Sequence, residues 1–259
     1  MSRSERLLEL PDAALEILVR IMRESGYRYL VAVTEDIIDY FVDIARATDR
    51  IEMGGALLGK IKRSPLPRGA LAVLFHDYVQ IRNAADDPYR KYVPDMESVD
   101  EIEDLVKSCE YDVIAQMHTH PDAGIFSLTD LVSAKMWSEY FMKEYGRKSY
   151  PFRRSRLYIP DFIVSDGMDP ALIAYTYETP FALAFVKKIP YLSVPYIVGS
   201  VPFSERDPEN FEYLLDSVPW AVKKGYLEPD MADLARSCVV NCHCIMLPIK
   251  AIRYMLGIK

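Results

Sequence analysis

"MHTHPDAGIFSLTD" runs from Met117 to Asp130 and holds His118 and His120, two of the four histidines in a chain of 259 residues. The preceding "YDVIAQ" is apolar and short, so the spacing predicts a strand that continues through both histidines and is ended by Pro121. Side chains on a strand alternate faces, which puts His118 and His120 on one side and Thr119 on the other. "SLTDLVSAKMWSEYFMKEYG" then predicts a helix ending near Gly146. Its first turn fits a capping box, with Ser127 as cap and Asp130 answering it.

A His-x-His pair alone is a weak signal, because surface strands carry such pairs by chance. "SLTD" alone is most simply a helix cap. Together, across one Pro-Gly-containing loop, they place two imidazoles and a carboxylate within reach of one ion, and the cap fixes the aspartate for that purpose. His118, His120 and Asp130 are thus candidate zinc ligands. Three protein ligands leave a fourth position for water, the layout of a catalytic rather than a structural site. Other zinc chemistries fit poorly. An amidohydrolase needs more histidines downstream, where only His243 is found, and the eightfold strand–helix alternation of its barrel is missing. A zinc deaminase needs His-x-Glu and Pro-Cys-x-x-Cys, and neither occurs.

Working outward from this stretch, Asp12 can cap a helix whose Leu15, Leu18, Ile21 and Met22 share a face, with Gly26 ending it. "YRYLVAVT" reads as a strand, and Thr34 as the cap of a second helix bearing Ile37, Ile38, Phe41 and Ile44. "GGALLGKIKR" and "ALAVLFHDYVQIR" read as strands joined by a turn at Ser64–Gly69. His76, inside the second of these, is read as structural. "NAADDPYRKYVPD" is an irregular loop, and an acidic helix follows over Met96–Ser108. After the long helix come two more strands, "RLYIPDFIVS" and "ALIAYTYE". This order predicts a layered α/β (α+β) domain over residues 1–179. Eight of the 17 prolines fall between Pro180 and Pro248, so residues 180–259 are expected to form a mostly helical C-terminal extension, with a possible protein partner.

A water-activating site also needs a base. Glu52 precedes a glycine-rich strand in "IEMGGALLGK", where Gly54 and Gly55 would let backbone or substrate come close. A lone glutamate there is usually a solvated turn residue, and its significance comes from the rest of the pattern.

That pattern resembles the JAMM (MPN+) metalloprotease family. The matching residues are Glu52, Gly55 and Gly59 in "EMGGALLG", then "HTHP", then Ser127 and Asp130 in "SLTD". "RNAADDPYRKYVPD" and "LYIPDFIVSDG" resemble the intervening family segments, so the likeness spans about Tyr27 to Glu178. It implies a cytidine-deaminase-like fold, with one zinc per chain on His118, His120 and Asp130. Glu52 would be general base and acid, and Ser127 would hydrogen-bond the oxyanion. It also implies hydrolysis of isopeptide or peptide bonds, typically after the tail of a ubiquitin-like protein. Two alternatives remain: a non-catalytic scaffold of the same family, and a hydrolase of small molecules. One departure is visible. Six residues, Pro121 to Phe126, separate His120 from Ser127 where the family typically has seven, and Gly124 gives the tighter loop room.

Composition limits the rest. A net charge of −7 gives no general reason to expect nucleic-acid binding. No uninterrupted apolar run reaches membrane-spanning length, and "MSRSERLLEL" is too charged for a signal-peptide core. A cytoplasmic location without membrane contact is expected. "CVVNCHC" places Cys238 and Cys242 four apart, on one face of an expected helix. Core packing is the simpler reading of these residues and Cys244, with a second metal as the rival. The acidic helix and the basic stretch from Lys143 to Arg156 read as solvated faces, with steering of a charged substrate as the alternative.

Overall fold

The computed structural model describes residues 15–24, 26–47, 51–62, 70–87, 89, 92–108, 111–121, 125–144, 158–165, 170–186 and 196–257. The expected cap Asp12, the turn at 64–69, Cys109, Gly124, the helix end near Gly146 and most of the basic stretch lie outside them.

The histidine strand, β4 (Val113–His120), lies inside one mixed sheet. Its antiparallel neighbour is β2 (Gly54–Lys62), and its parallel neighbour is β5 (Asp161–Ser165). β2 turns back along β3 (Leu71–Ile81), which runs parallel to β1 (Tyr29–Thr34). β5 is followed by antiparallel β6 (Ala171–Tyr177). The remaining strands are β7 (Ala182–Val186), β8 (Tyr196–Gly199), β9 (Val201–Pro202) and β10 (Cys242–Pro248), giving the sheet order β8-β7-β1-β3-β2-β4-β5-β6-β10-β9.

Helices cover both faces, and strand alternation sorts the core between them. On one face lie α2 (Glu35–Ala47) and α8 (Ile249–Leu256), with Ile37, Phe41, Ile249 and Ile252 packed against Val31, Phe75, Ala115 and Met117. On the other, α1 (15–24) sets Leu15 and Leu18 on Leu30 and Leu74. Beside it, α3 (Met96–Lys107) sets Ile102 on Ala56 and Ile114. Next come α4 (Leu128–Glu144), the short α5 (Phe203–Arg206), α6 (Pro208–Lys224) and α7 (Ala232–Val240), over Ile163, Ile173 and Tyr175. Each buried aliphatic or aromatic side chain gains roughly 1.5–3 kcal/mol by leaving water. β4 therefore turns Ala115 and Met117 to the α2 face and Ile114, Gln116, His118 and His120 to the α3/α4 face. Among the described residues no helix is long and apolar enough to cross a membrane.

Three expectations change. The segment after residue 179 carries α5–α8, but it also supplies β7–β10. β7 pairs parallel with β1, and β10 pairs antiparallel with β6, so one sheet runs across the expected boundary. "ALAFV" carries no strand signal in the sequence because it is five residues long and buried on both sides, leaving no period to detect. Secondly, Thr34 does not cap α2. It is the last residue of β1, and its hydroxyl is buried with no hydrogen-bond partner among the described residues. Glu35 and Asp36 instead put negative charge on the first turn of α2. Thirdly, Cys238 and Cys242 share no helix face, because the chain passes from α7 to β10 at Asn241. Cys238, Cys242 and Cys244 are buried free thiols in the core beneath α4, α6 and α7. Gly26 ends α1 as expected, with φ +79° and its N–H donating to Met22 at 3.1 Å.

Ile245 of β10 is 3% exposed and belongs to the same core as β1 and α2. Ile245→Ala should lower stability by about 2–5 kcal/mol. Urea unfolding followed by circular dichroism should show one transition, moved as a whole. Two transitions, with the larger one unmoved, would contradict a core shared with the C-terminal segment.

Candidate metal centre

β4 ends at His120, and α4 begins at Leu128. The junction is fixed by reciprocal hydrogen bonds. The Asp130 N–H donates to Ser127 Oγ at 3.2 Å, and the Ser127 N–H donates to Asp130 Oδ2 at 2.6 Å. This is the capping box read from "SLTD". The same carboxylate faces both histidines, with Oδ1 3.3 Å from His118 Nε2 and Oδ2 3.4 Å from His120 Nε2. The two Nε2 atoms are 3.1 Å apart. On the other side of its ring, His120 Nδ1 lies 3.1 Å from the Ile125 carbonyl. That contact presents Nε2 inward, the outer-shell arrangement usual for a ligating imidazole. The six-residue loop, one residue short of the family spacing, still brings the three side chains together.

The donor set fits a zinc ion. Zinc–nitrogen and zinc–oxygen bonds of about 2.0–2.2 Å on a tetrahedron put neighbouring ligand atoms roughly 3.3–3.5 Å apart. The two Nε2 atoms are spaced close to that, and each faces one oxygen of the Asp130 carboxylate. Among the described residues, His118, His120 and Asp130 form the group of three with ligand atoms all within 4.8 Å of one another. The electrostatics agree. Burial alone would raise the Asp130 pKa, but His118 and His120 outweigh it and hold the carboxyl well below its usual range. Burial would lower His120, but the Asp130 hydrogen bond and charge, with a contribution from Glu52, raise it.

Glu52 sits just before β2 and is half-buried. Burial pushes its pKa up, His120 and then His118 pull it down, and Asp130 and Asp87 push it up again, for a net rise. The carboxylate is thus within electrostatic reach of the cluster. The backbone is pinned on both sides. Met53 N–H donates to Thr119 Oγ1 at 2.9 Å, and Thr119 N–H donates to the Met53 carbonyl at 2.7 Å. Asn83 Nδ2 donates to the Glu52 carbonyl at 2.8 Å. Asn83 Oδ1 in turn accepts from Ala85 and Val93 at 3.0 and 3.1 Å, folding the 83–93 loop against this segment.

Sequence reasoning anticipated close approach at Gly54 and Gly55, and both are closely covered by the protein itself. A Cβ on Gly54, which pairs with His118, would lie 2.3 Å from the Tyr92 ring. A Cβ on Gly55 would lie 2.4 Å from the Val79 carbonyl. The Tyr92 ring is therefore able to lie parallel to His118, with centroids 5.9 Å apart.

Asn83, Tyr92 and Asp161 were not singled out from the sequence. Asp161 starts β5, fully buried, and accepts from the Gln116 N–H at 3.2 Å. Burial pushes its pKa up to about 7, against the Gln116 bond and with a further push from Asp130. An acid opening an apolar strand, as in "IPDFIVS", was its available signal. Ser127 Oγ accepts the cap bond and lies 3.3 Å from Thr129 Oγ1, to which it donates. His76, 7% exposed, packs its ring 5.6 Å from that of Tyr111, away from the cluster.

Residues 34–156 match the model of a family described as prokaryotic homologs of the JAB domain. Among solved structures, the chain is similar to protein DSY2949 from Desulfitobacterium hafniense, at 15% identity and a TM-score of 0.36, over 56% of this chain and 82% of that one. No curated protein sequence gives a significant match. The family match spans Glu52, both histidines, Ser127 and Asp130, so the residues that build the cluster all lie in a domain that belongs to the JAB (JAMM/MPN) family.

Proposed function

We propose that this chain is a zinc-dependent hydrolase of peptide or isopeptide bonds, with the acyl side of its substrate drawn from the tail of a ubiquitin-like protein or a similar small protein. The observation that carries the reading is the His118–His120–Asp130 cluster. His118, His120 and Asp130 would hold the ion. A zinc ion there supplies Lewis acidity, lowering the pKa of a water towards ~7 and polarising a carbonyl.

The remaining steps belong to the chain's own residues. Glu52, ionised, takes a proton from the attacking water and later returns it to the departing amine. Its raised pKa makes it a stronger base than a free carboxylate, which suits proton uptake. The bonds from Thr119 and Asn83 fix the backbone that carries Glu52, which limits the reorganisation needed at the moment of transfer. Ser127 donates to the developing oxyanion by turning its single proton from Thr129 Oγ1, while its oxygen continues to cap α4.

Two measurements test this reading. The purified chain should contain one zinc, and His120→Ala should lose it, whereas Cys242→Ser, altering a buried thiol outside the cluster, should keep it. Metal analysis decides, and a His120→Ala protein that retains a full equivalent would move the ion elsewhere. Glu52→Gln should keep the zinc and lower the hydrolysis rate on ubiquitin-like conjugates or short isopeptides by about two to four orders of magnitude. Near-complete activity in that variant would remove Glu52 from the chemistry.

A further inference from the structure

His118 and His120 differ in what orients them. The His120 ring is fixed from behind, because its Nδ1 lies 3.1 Å from the Ile125 carbonyl. Such an outer partner sets the tautomer and the plane of a ligating imidazole. Among the described residues His118 Nδ1 makes no comparable hydrogen bond, and the polar contacts of this ring run through Nε2 to His120 and Asp130. Its plane must be held by packing instead. Tyr92 packs there, with its ring parallel to the imidazole to within 4° and the centroids 5.9 Å apart. That separation is in the range of offset-stacked aromatic pairs. The His120 ring is tilted by 59° to His118 and offers it no such flat wall.

Tyr92 reaches this place because Gly54 leaves it empty. Gly54 stands opposite His118 in the β2–β4 ladder, so a side chain at 54 would share the face of His118 and be its cross-strand neighbour. A Cβ there would lie 2.3 Å from Tyr92 Cζ and 2.6 Å from both Cε atoms. The tip of the Tyr92 ring thus occupies the position of the missing side chain. The chain next to it is fastened on both sides. Val93 N–H donates to Asn83 Oδ1 at 3.1 Å, and the Val93 carbonyl accepts from the Ala84 N–H at 2.8 Å. The Tyr92 hydroxyl is buried and has no hydrogen-bond partner among the described residues, which leaves the flat ring as the working part.

We infer that Tyr92 is a positioning residue of the metal centre: its ring, seated on Gly54, holds the His118 imidazole in the plane that aims Nε2 at the ion. The inference rests on the metal-binding half of the reading above and is independent of hydrolysis. The two histidines are then supported differently, one by a hydrogen bond and the other by a stacked ring. Without that ring His118 gains freedom about its side-chain torsions, and binding the ion has to remove it again. Metal affinity is also tied to the 83–93 loop, since Asn83 holds both Val93 and the Glu52 carbonyl.

The test reads zinc affinity, by competition with a chelator, and the visible spectrum of the Co(II)-loaded protein, on the full-length chain and three variants. Tyr92→Ala removes the ring. Gly54→Ala leaves Tyr92 in the chain but pushes its ring away. Both should bind zinc ~10–100-fold more weakly, and their Co(II) bands should change with the ligand geometry. Tyr92→Phe keeps the ring and should keep the parent affinity and bands, because the hydroxyl it loses had no partner. Melting temperatures of the metal-free proteins separate an effect on the fold. A ring that only stabilised the loop would lower the melting temperature of Tyr92→Ala and leave affinity and bands unchanged, which would overturn the inference. A Tyr92→Phe protein as weak as Tyr92→Ala would overturn it too. If Tyr92→Ala does not fold, Gly54→Ala decides, and parent-like affinity and bands there would sink the role of the ring. A parent chain that takes up no zinc overturns this inference and the hydrolase reading together, whereas a chain that binds zinc and cleaves no substrate sinks hydrolysis alone.

Discussion

The candidate site depends first on the reciprocal bonds between Ser127 and Asp130. A helix start leaves its first N–H groups without partners, and a serine and an acid three residues apart satisfy two of them. In most proteins this arrangement stabilises a helix and does nothing else. Here the capped helix starts eight positions after a strand end that carries two histidines, and the capping carboxylate meets both imidazoles. One local interaction thus orients a helix and holds a ligand. The chelating geometry needs no residue beyond those the backbone already requires.

The position of Glu52 comes from strand pairing. Gly54 lies opposite His118 in the β2–β4 ladder. Glu52, two positions before it, is therefore carried towards the histidine end of β4. The Met53–Thr119 exchange extends the ladder by one step beyond β2. Thr119 is the residue of the His-x-His pair that faces away from the ligands, and this contact gives it a structural task. A one-residue slip would turn His118 and His120 into the α2 core and Thr119 towards the ion, so the hydrophobic faces of β4 protect the site against misregister.

The part of the chain that holds the cluster was legible because its signals are local. Strand alternation, a helix cap and a proline stop each act over a few residues, so His118, His120, Ser127 and Asp130 could be placed before any tertiary contact was known. The elements that escaped detection are those defined by long-range pairing. β7 and β10 are short and lie against strands far away in sequence, and the prolines around them look like loop punctuation. Asn83 escaped for a related reason. An asparagine in a polar loop is common, and nothing near it in sequence reveals that it spans from the 83–93 loop to Glu52. Tyr92 needs the absence of a Cβ on Gly54, a complementarity between residues 38 positions apart. The Thr34 cap failed because propensity favours threonine at helix starts, while burial at the end of β1 left its hydroxyl without the geometry to act.

Charge balance joins these parts. A fully buried carboxylate is costly unless something compensates it. At Asp130 the compensation comes from two imidazoles rather than from lysine or arginine. An imidazole compensates only by taking up a proton, which explains why Asp130 falls and His120 rises together. A divalent cation meets the same electrostatic need better, and does so with both imidazoles neutral. Metal uptake by such ligands depends on pH, because a ligating imidazole must be neutral. A guanidinium or ammonium at this position would stabilise Asp130 permanently and leave no demand for an ion. Histidines leave that demand in place, so the Asp130 charge stays buried beside side chains that can also act as metal ligands.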